Sequence, residues 1–454
     1  MEQLTSASRT TYSFTSTDSI TSTIVAKTSE PTLRIEQCFA SKLNREIIDA
    51  AIYKLISEEP ILSSRLTGSK KPIWIKSAYE PKQFIKTFTS EEEYHSFKNI
   101  PVDIEVGPLI QCALLYNERR TLFLIKLAHE VADGFGVKQA AVKIAENYRK
   151  LKENSLSTEP SLSSQHASYR SSSQLLSFIP LRALFRLFII YIKDKQDMFG
   201  KGKSVNVSHE IFDEKSPGTT HFSLSKSFTD HLRKTARSLN VNLNDILLTA
   251  FLRSMATNSK DPEELYRICM TVNLRRYVEN PNQLPISNLS NIECINLKRN
   301  LGNTFAETLS KVSAIIQDKK QNWIGLSIIF DLVMQKPLSF NLRKRLHADF
   351  VRKTIEKKNT AFLLTNVGRF DAGSLEMEGL PEDLEILGPI VRSPFWNTVV
   401  WEFNQAIHFS AGIFNYSQRR HHLNNLYEQV IEELASFSGF ELKHDSSKIK
   451  GEIA

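Results

Sequence analysis

Cysteine is scarce: there are four in 454 residues, at positions 38, 112, 269 and 294, with no CxxC pair and no metal-site spacing. That excludes a cysteine-ligated zinc module and a small disulfide-stapled scaffold. Three of the thiols sit in apolar runs, which predicts buried free thiols in a reducing compartment and no disulfides. The N-terminus, MEQLTSASRTTYSFTSTDSI, lacks a basic region followed by an apolar one. No secretory signal is visible, and the cytoplasm is the expected location. A glycine-rich phosphate loop and internal repeats are also missing, which excludes P-loop and solenoid readings.

Long uncharged apolar runs are missing too. The nearest approach, LLSFIPLRALFRLFIIYI at 175–192, is interrupted by Pro180, Arg182 and Arg186. Each arginine at the centre of a span costs roughly 2.5–3.5 kcal/mol, so a membrane-crossing helix is not expected. On a helix Arg182, Arg186 and Lys193 fall within about 40° of one another and leave a broad apolar face. Two readings stay open. The helix packs on the body of the protein with its basic edge solvated, or it lies in a membrane interface and admits a lipid or other hydrophobic substrate.

What is present is the composition of a soluble globular chain, 41% hydrophobic and 24% charged, long enough for two domains. A formal net charge of +8 and a pI near 9.1 allow attraction to anionic partners such as coenzyme A phosphates, phospholipid surfaces or nucleic acid, and select none of them. No nucleic-acid partner is expected, and the chain is expected to act as a monomer.

The chemistry concentrates in residues 121–141, TLFLIKLAHEVADGFGVKQAA. Leu122, Phe123, Leu124, Ile125 and Leu127 form a run of strand length that ends at His129 and the turn residues Asp133-Gly134-Phe135-Gly136. From Val137 the apolar residues recur at helical spacing to Leu151. His129 therefore stands where a strand ends, and Asp133 four residues later in the turn. A fixed neutral imidazole there can take a proton from a hydroxyl or amine near neutral pH. Asp133 either anchors the turn or pairs with a distant arginine, and Gly134 permits positive φ and close backbone approach. HEVAD also matches a variant zinc-hydrolase pattern, with His129 and Asp133 as ligands and Glu130 as base. The strand before it and the glycines after it disfavour the helix that such a site needs.

The pattern His-x-x-x-Asp-Gly at 129–134 resembles the signature of the superfamily of condensation domains and coenzyme-A-dependent acyltransferases, of the chloramphenicol-acetyltransferase-like type. LNREIIDAAIYKLISEEPILSSRL at 43–66, with Asn44 capping a helix over 45–58 that Pro60 stops, resembles its early helix. The strand, helix, Asn-rich turn and apolar helix over 221–255 resemble the start of its C-terminal half. The likeness extends over about residues 30–440.

The resemblance implies an α/β fold of two chloramphenicol-acetyltransferase-like subdomains, each a mixed sheet with helices, with an active-site channel between them. The expected division is 1–174, ending in a Ser-rich linker over 153–174, and 175–454, a crossover helix and C-terminal subdomain. The implied activity moves an acyl group from acyl-coenzyme A or a carrier-protein phosphopantetheine thioester to a hydroxyl or amine. His129 would be the general base, with Asp133 and Gly134 completing the motif and no permanently bound cofactor or metal. Arg275, in Val-Asn-Leu-Arg at the end of a strand over 267–276, matches the arginine that pairs with the motif aspartate. Asn288 and Asn366 are channel candidates, although Ser287-Asn288 stands where relatives carry Gly-Asn, and the Asp-Phe-Gly-Trp-Gly of plant enzymes is absent. The implied partners are a small-molecule or lipid acceptor and an acyl carrier protein; the stretch 175–192 separately suggests peripheral contact with a membrane surface. A non-catalytic binding relative is the alternative.

Further elements are expected as strands over 32–39, 72–77, 109–116, 361–365, 398–402 and 408–414. Helices are expected over 226–239, 303–321, 339–358 and 418–437. The first 30 residues are expected to supply at most an edge strand, 89–98 a polar connection, and 441–454 a frayed tail.

Overall fold

The strand that carries His129 is the middle of a five-stranded sheet, and every residue of Thr121–Ala128 is buried. It lies antiparallel between Thr32–Phe39 and Ile110–Tyr116. Ile85–Phe88 runs parallel to Ile110–Tyr116 on one side, and Asp383–Leu387 closes the other edge against Thr32–Phe39. A continuous apolar run suits a strand covered on both faces. The computed structural model describes residues 10–77, 79, 81–118, 120–153, 179, 181–199, 202–257, 259, 264–278, 280, 281, 284–442 and 448–453.

The larger, nine-stranded sheet has the main order Ser290–Asn296, Arg267–Asn273, Phe362–Arg369, Asn397–Phe403, Ala406–Ile413, Gly218–Leu224 and Lys448–Ile453. The molecule thus has the mixed α/β, two-subdomain architecture expected from the motif, but the chain does not divide its strands cleanly. Asp383–Leu387 comes from late in the sequence and completes the early sheet. Along Asn397–Phe403, Val399, Trp401 and Phe403 join the first core while Val400 joins the second. The period-two alternation of a strand makes that double duty unavoidable. Trp401 Nε1 also donates to Leu384 O at 3.1 Å and ties the sheets together.

Helix Arg45–Glu58 begins at Asn44, whose Oδ1 accepts from Glu46 N and Ile47 N. It buries Ile48, Ala51, Ile52, Leu55 and Ile56 against the motif helix, Gly134–Lys152. The latter turns Val137, Ala140, Ala141, Ile144 and Tyr148 into the same core.

Several expectations need correction. Cys269 and Cys294 are bonded, not free, because Arg267–Asn273 and Ser290–Asn296 pair antiparallel with these two residues opposite each other at a Cα separation of 4.1 Å. Twenty-five residues of spacing in sequence carry no information about that register, and the bond removes the thiol argument for a reducing compartment. The tail is not simply frayed: Lys448–Ile453 adds to the edge of Gly218–Leu224. Among the described residues near the N-terminus, Thr11–Ser13 is an edge strand and Ser29–Glu30 pairs antiparallel with Ile390–Val391. Helical segments follow over Ser16–Ile20, Thr21–Val25 and Ala26–Thr28, started by a reciprocal Thr15–Asp18 cap. Residues 89–98 are not a bare connection, since Glu91–Asn99 is a helix capped by Ser90 that buries Tyr94 and Phe97. The strand expected to end at 365 continues to Arg369 through a register shift at Asn366/Gly368, where Gly368 adopts φ +83°. Asn366-Val367-Gly368 is therefore a bulge inside a strand. The Ser-rich linker beyond residue 153, and with it the 174/175 boundary, lies outside the described residues.

Candidate functional site

The backbone sets the histidine before the side chain does anything. His129 N donates to Pro31 O at 2.9 Å, so the chain is still pinned to the sheet at that residue. Val131 N then returns to Ala128 O, and the helix starts at Gly134 with Asp133 as its N-cap. The result is a half-buried imidazole at the end of a rigid strand.

Its Nδ1 lies 2.8 Å from Ala132 O. A carbonyl can only accept, so Nδ1 carries the proton and Nε2 presents its lone pair. No described residue bonds Nε2. Burial pushes the His129 pKa below its usual 6.5, outweighing the opposing pull of the Ala132 carbonyl and the Asp133 charge. The ring is thus neutral at pH 7 and oriented to accept a proton at Nε2.

Asp133 does structural work with both oxygens. Its Oδ1 accepts from Gly136 N at 2.9 Å, capping the motif helix, while Oδ2 accepts from Leu289 N at 2.9 Å and Arg275 Nη1 at 2.7 Å. The Asp133–Arg275 ion pair is buried, and Arg275 Nη2 also donates to Ser287 O at 2.6 Å. Charge-assisted bonds on most of the available positions offset the desolvation that such a pair requires. The pair joins residues 142 apart in sequence and clips the motif turn to segment 284–290. With Asp133 committed to a guanidinium and two amides, its carboxylate is poorly placed to ligate zinc, and the HEVAD residues after Ala128 form a turn and not a helix. No cluster able to hold a metal ion occurs among the described residues.

Gly134 does not take positive φ, contrary to the expectation from its residue type. Close approach is its role, since a Cβ there would stand 3.1 Å from Val367 Cγ2. Asn288 lies beside the histidine: its Nδ2 donates to His129 O at 3.0 Å and contacts Thr21 Oγ1 at 3.3 Å. Asn366 is exposed instead and bonds Asn244 Oδ1 at 3.2 Å. Asn244 lines a cavity of about 510 Å³ with Phe135, Met270, Arg275, Arg276 and Lys320 among its walls. His129 is not one of its walls; Phe135, which follows Gly134 of the motif, is one, with its ring centroid 4.8 Å from the Arg275 guanidinium.

Sequence reasoning missed Ala132 O, Ser287 O and Leu289 N, which are backbone atoms and leave no residue-type signal. It also missed Thr21, which arrives from a helix that the Ser/Thr-rich composition concealed. Glu130 is fully buried, and its carboxyl is pushed up to about 8 by burial, with Asp18 and Glu30 adding like charge.

No family pattern and no curated protein sequence matches the chain. Its fold, however, is similar to that of solved condensation and epimerization domains. The first condensation domain of the CDA synthetase superposes at TM-score 0.67 with 14% identity, covering 97% of this chain and 99% of that one. Polyketide synthase associated protein 5 from Mycobacterium tuberculosis gives 0.62 and 14%, over 94% and 97% of the two chains. The epimerization domain of tyrocidine synthetase B gives 0.67 and 13%, over 95% and 96%.

Proposed function

We propose that the chain is an acyltransferase that moves an acyl group from a thioester to a hydroxyl or amine. The observation that carries this reading is the His129 imidazole, neutral at pH 7, with Nδ1 held by Ala132 O and Nε2 unengaged by any described residue. Nε2 takes the proton from the acceptor as its oxygen or nitrogen attacks the thioester carbonyl. The tetrahedral oxyanion then collapses, the carbon–sulfur bond breaks, and the imidazolium returns its proton to the leaving thiolate. Asp133 and Arg275 hold the turn and do not touch the reacting atoms. The donor is acyl-coenzyme A or an acyl group on a carrier protein's phosphopantetheine, each a co-substrate and not a resident cofactor.

Support for the class comes from neighbours that are condensation domains. An epimerization domain shares the fold as well, so the fold does not choose among reactions. Thiol release from acyl-coenzyme A and from carrier-bound acyl groups, across a panel of alcohols and amines, makes that choice. Release that depends on both donor and acceptor is expected. Absence of release with every pairing would favour the non-catalytic relative, and proton exchange at an acyl α-carbon without release would favour epimerization.

A further inference from the structure

Helix Leu181–Phe199 has two apolar faces, and the fold uses only one. Ala183 and Leu187 are buried in the larger core. Phe185, Phe188, Ile189 and Ile192 recur at i, i+3, i+4 and i+7 on the opposite side and are 74%, 43%, 53% and 42% exposed. A surface helix of a monomeric protein ordinarily turns such a stripe inward. The stripe does not end with its helix. The Phe188 and Phe330 ring centroids are 5.4 Å apart, and one turn beyond Phe330, on helix Ile328–Gln335, Val333 and Met334 are 48% and 59% exposed.

Among the described side chains of helix Leu181–Phe199, the exposed charges beside the stripe are basic. Arg186 and Lys193 are exposed and lie about 40–60° from the nearer edge of the stripe, while Lys195 borders its other side. Between positions 181 and 193 the sequence has no acidic residue. Two neighbouring carboxylates are already engaged, Asp331 by Lys195 at 2.7 Å and by Tyr191, and Asp194 by Lys319 at 2.8 Å. Exposed Lys336 follows Met334 at the end of the second helix.

We infer that this two-helix surface docks on an anionic phospholipid bilayer, with the Phe185–Ile192 stripe and Met334 entering the headgroup boundary and Arg186, Lys193 and Lys336 meeting lipid phosphates. A bulky apolar stripe edged by exposed cations, with Asp331 and Asp194 tied in ion pairs, is complementary to a negatively charged, apolar-cored interface. The contact is peripheral, because no described helix is long and apolar enough to cross a membrane. It is independent of the acyl-transfer reading.

Co-flotation of the full chain with vesicles tests it. Binding is expected to phosphatidylcholine vesicles carrying about a third phosphatidylserine, and to be much weaker to phosphatidylcholine alone. Phe185→Ser with Ile189→Ser, which leaves the Phe188–Phe330 contact in place, should lower the partition coefficient by more than about tenfold. Arg186→Glu with Lys193→Glu, which leaves the apolar stripe intact, should lower it by about fivefold or more for each charge. Circular dichroism confirms that each variant is folded, and thiol release by each should match the parent. Failure of the parent to float with the anionic vesicles would overturn the inference, as would an unchanged partition of the serine variant. So would a parent dimer that the serine pair converts to monomer without vesicle binding, because the occupant would then be a second copy of the chain.

Discussion

At the scale of single residues, the site rests on which nitrogen of one ring carries the proton. Because burial lowers the His129 pKa below 6.5, the unfolded chain binds a proton there in a pH range where the folded chain does not. Two consequences follow in opposite directions. The base stays unprotonated as pH falls through 6.5, so the acid limb of kcat/KM for acyl transfer should lie below 6.5, and a limb above that value would contradict the proposed environment. Stability, by contrast, should lose the His129 contribution as pH falls below 6.5. Glu130 acts with the other sign at higher pH. Its carboxyl titrates near 8 when folded and near 4.5 when unfolded, so the folded state is progressively disfavoured as pH rises from 4.5 to 8. Glu130→Gln should flatten the loss of stability between those values in urea titrations, and an unaltered slope would place the carboxyl in a wetter setting than its burial indicates.

At the scale of elements, the ion pair Asp133–Arg275 is a fastener between a helix start and the segment after a strand of the other sheet. Asp133→Ala leaves a buried guanidinium unpaired and removes a helix cap, which should cost about 3–5 kcal/mol in urea unfolding. Asp133→Asn keeps the cap acceptor and should cost less; equal costs would show that the charge, not the cap, dominates. The Cys269–Cys294 pairing predicts two titratable thiols in denaturant without reductant, those of Cys38 and Cys112, and four after reduction. Four before reduction would contradict it. These elements also mark what could be read from residue order. Helix Arg45–Glu58 was legible because its cap and its i, i+3, i+4 apolar positions are adjacent in sequence, and the motif strand because five apolar residues precede a histidine and a turn. Arg275 was legible only through resemblance. The cross-strand cysteines, the Asp383–Leu387 edge and the Lys448–Ile453 edge depend on pairings between distant segments, which no local pattern encodes. Helix Glu91–Asn99 was hidden by three glutamates in its first turn, which suit the helix dipole but read as a solvated link.

At the scale of the whole molecule, two sheets share a core boundary through Asn397–Phe403, and the motif turn stands where they meet. Val367 of the larger sheet packs on Gly134, Asn288 reaches the His129 carbonyl, and Trp401 bonds Leu384 across the sheets. Movement of one sheet against the other would displace the imidazole from its surroundings, so the rigidity of this junction is what the proposed chemistry requires. The most direct test is thiol release by His129→Ala, measured on protein shown by circular dichroism and urea unfolding to be folded. With Nε2 gone, the rate should fall by at least about 10²–10⁴-fold for every donor and acceptor that the parent uses. Release at the parent rate from the folded variant would contradict the assignment of His129 as the base.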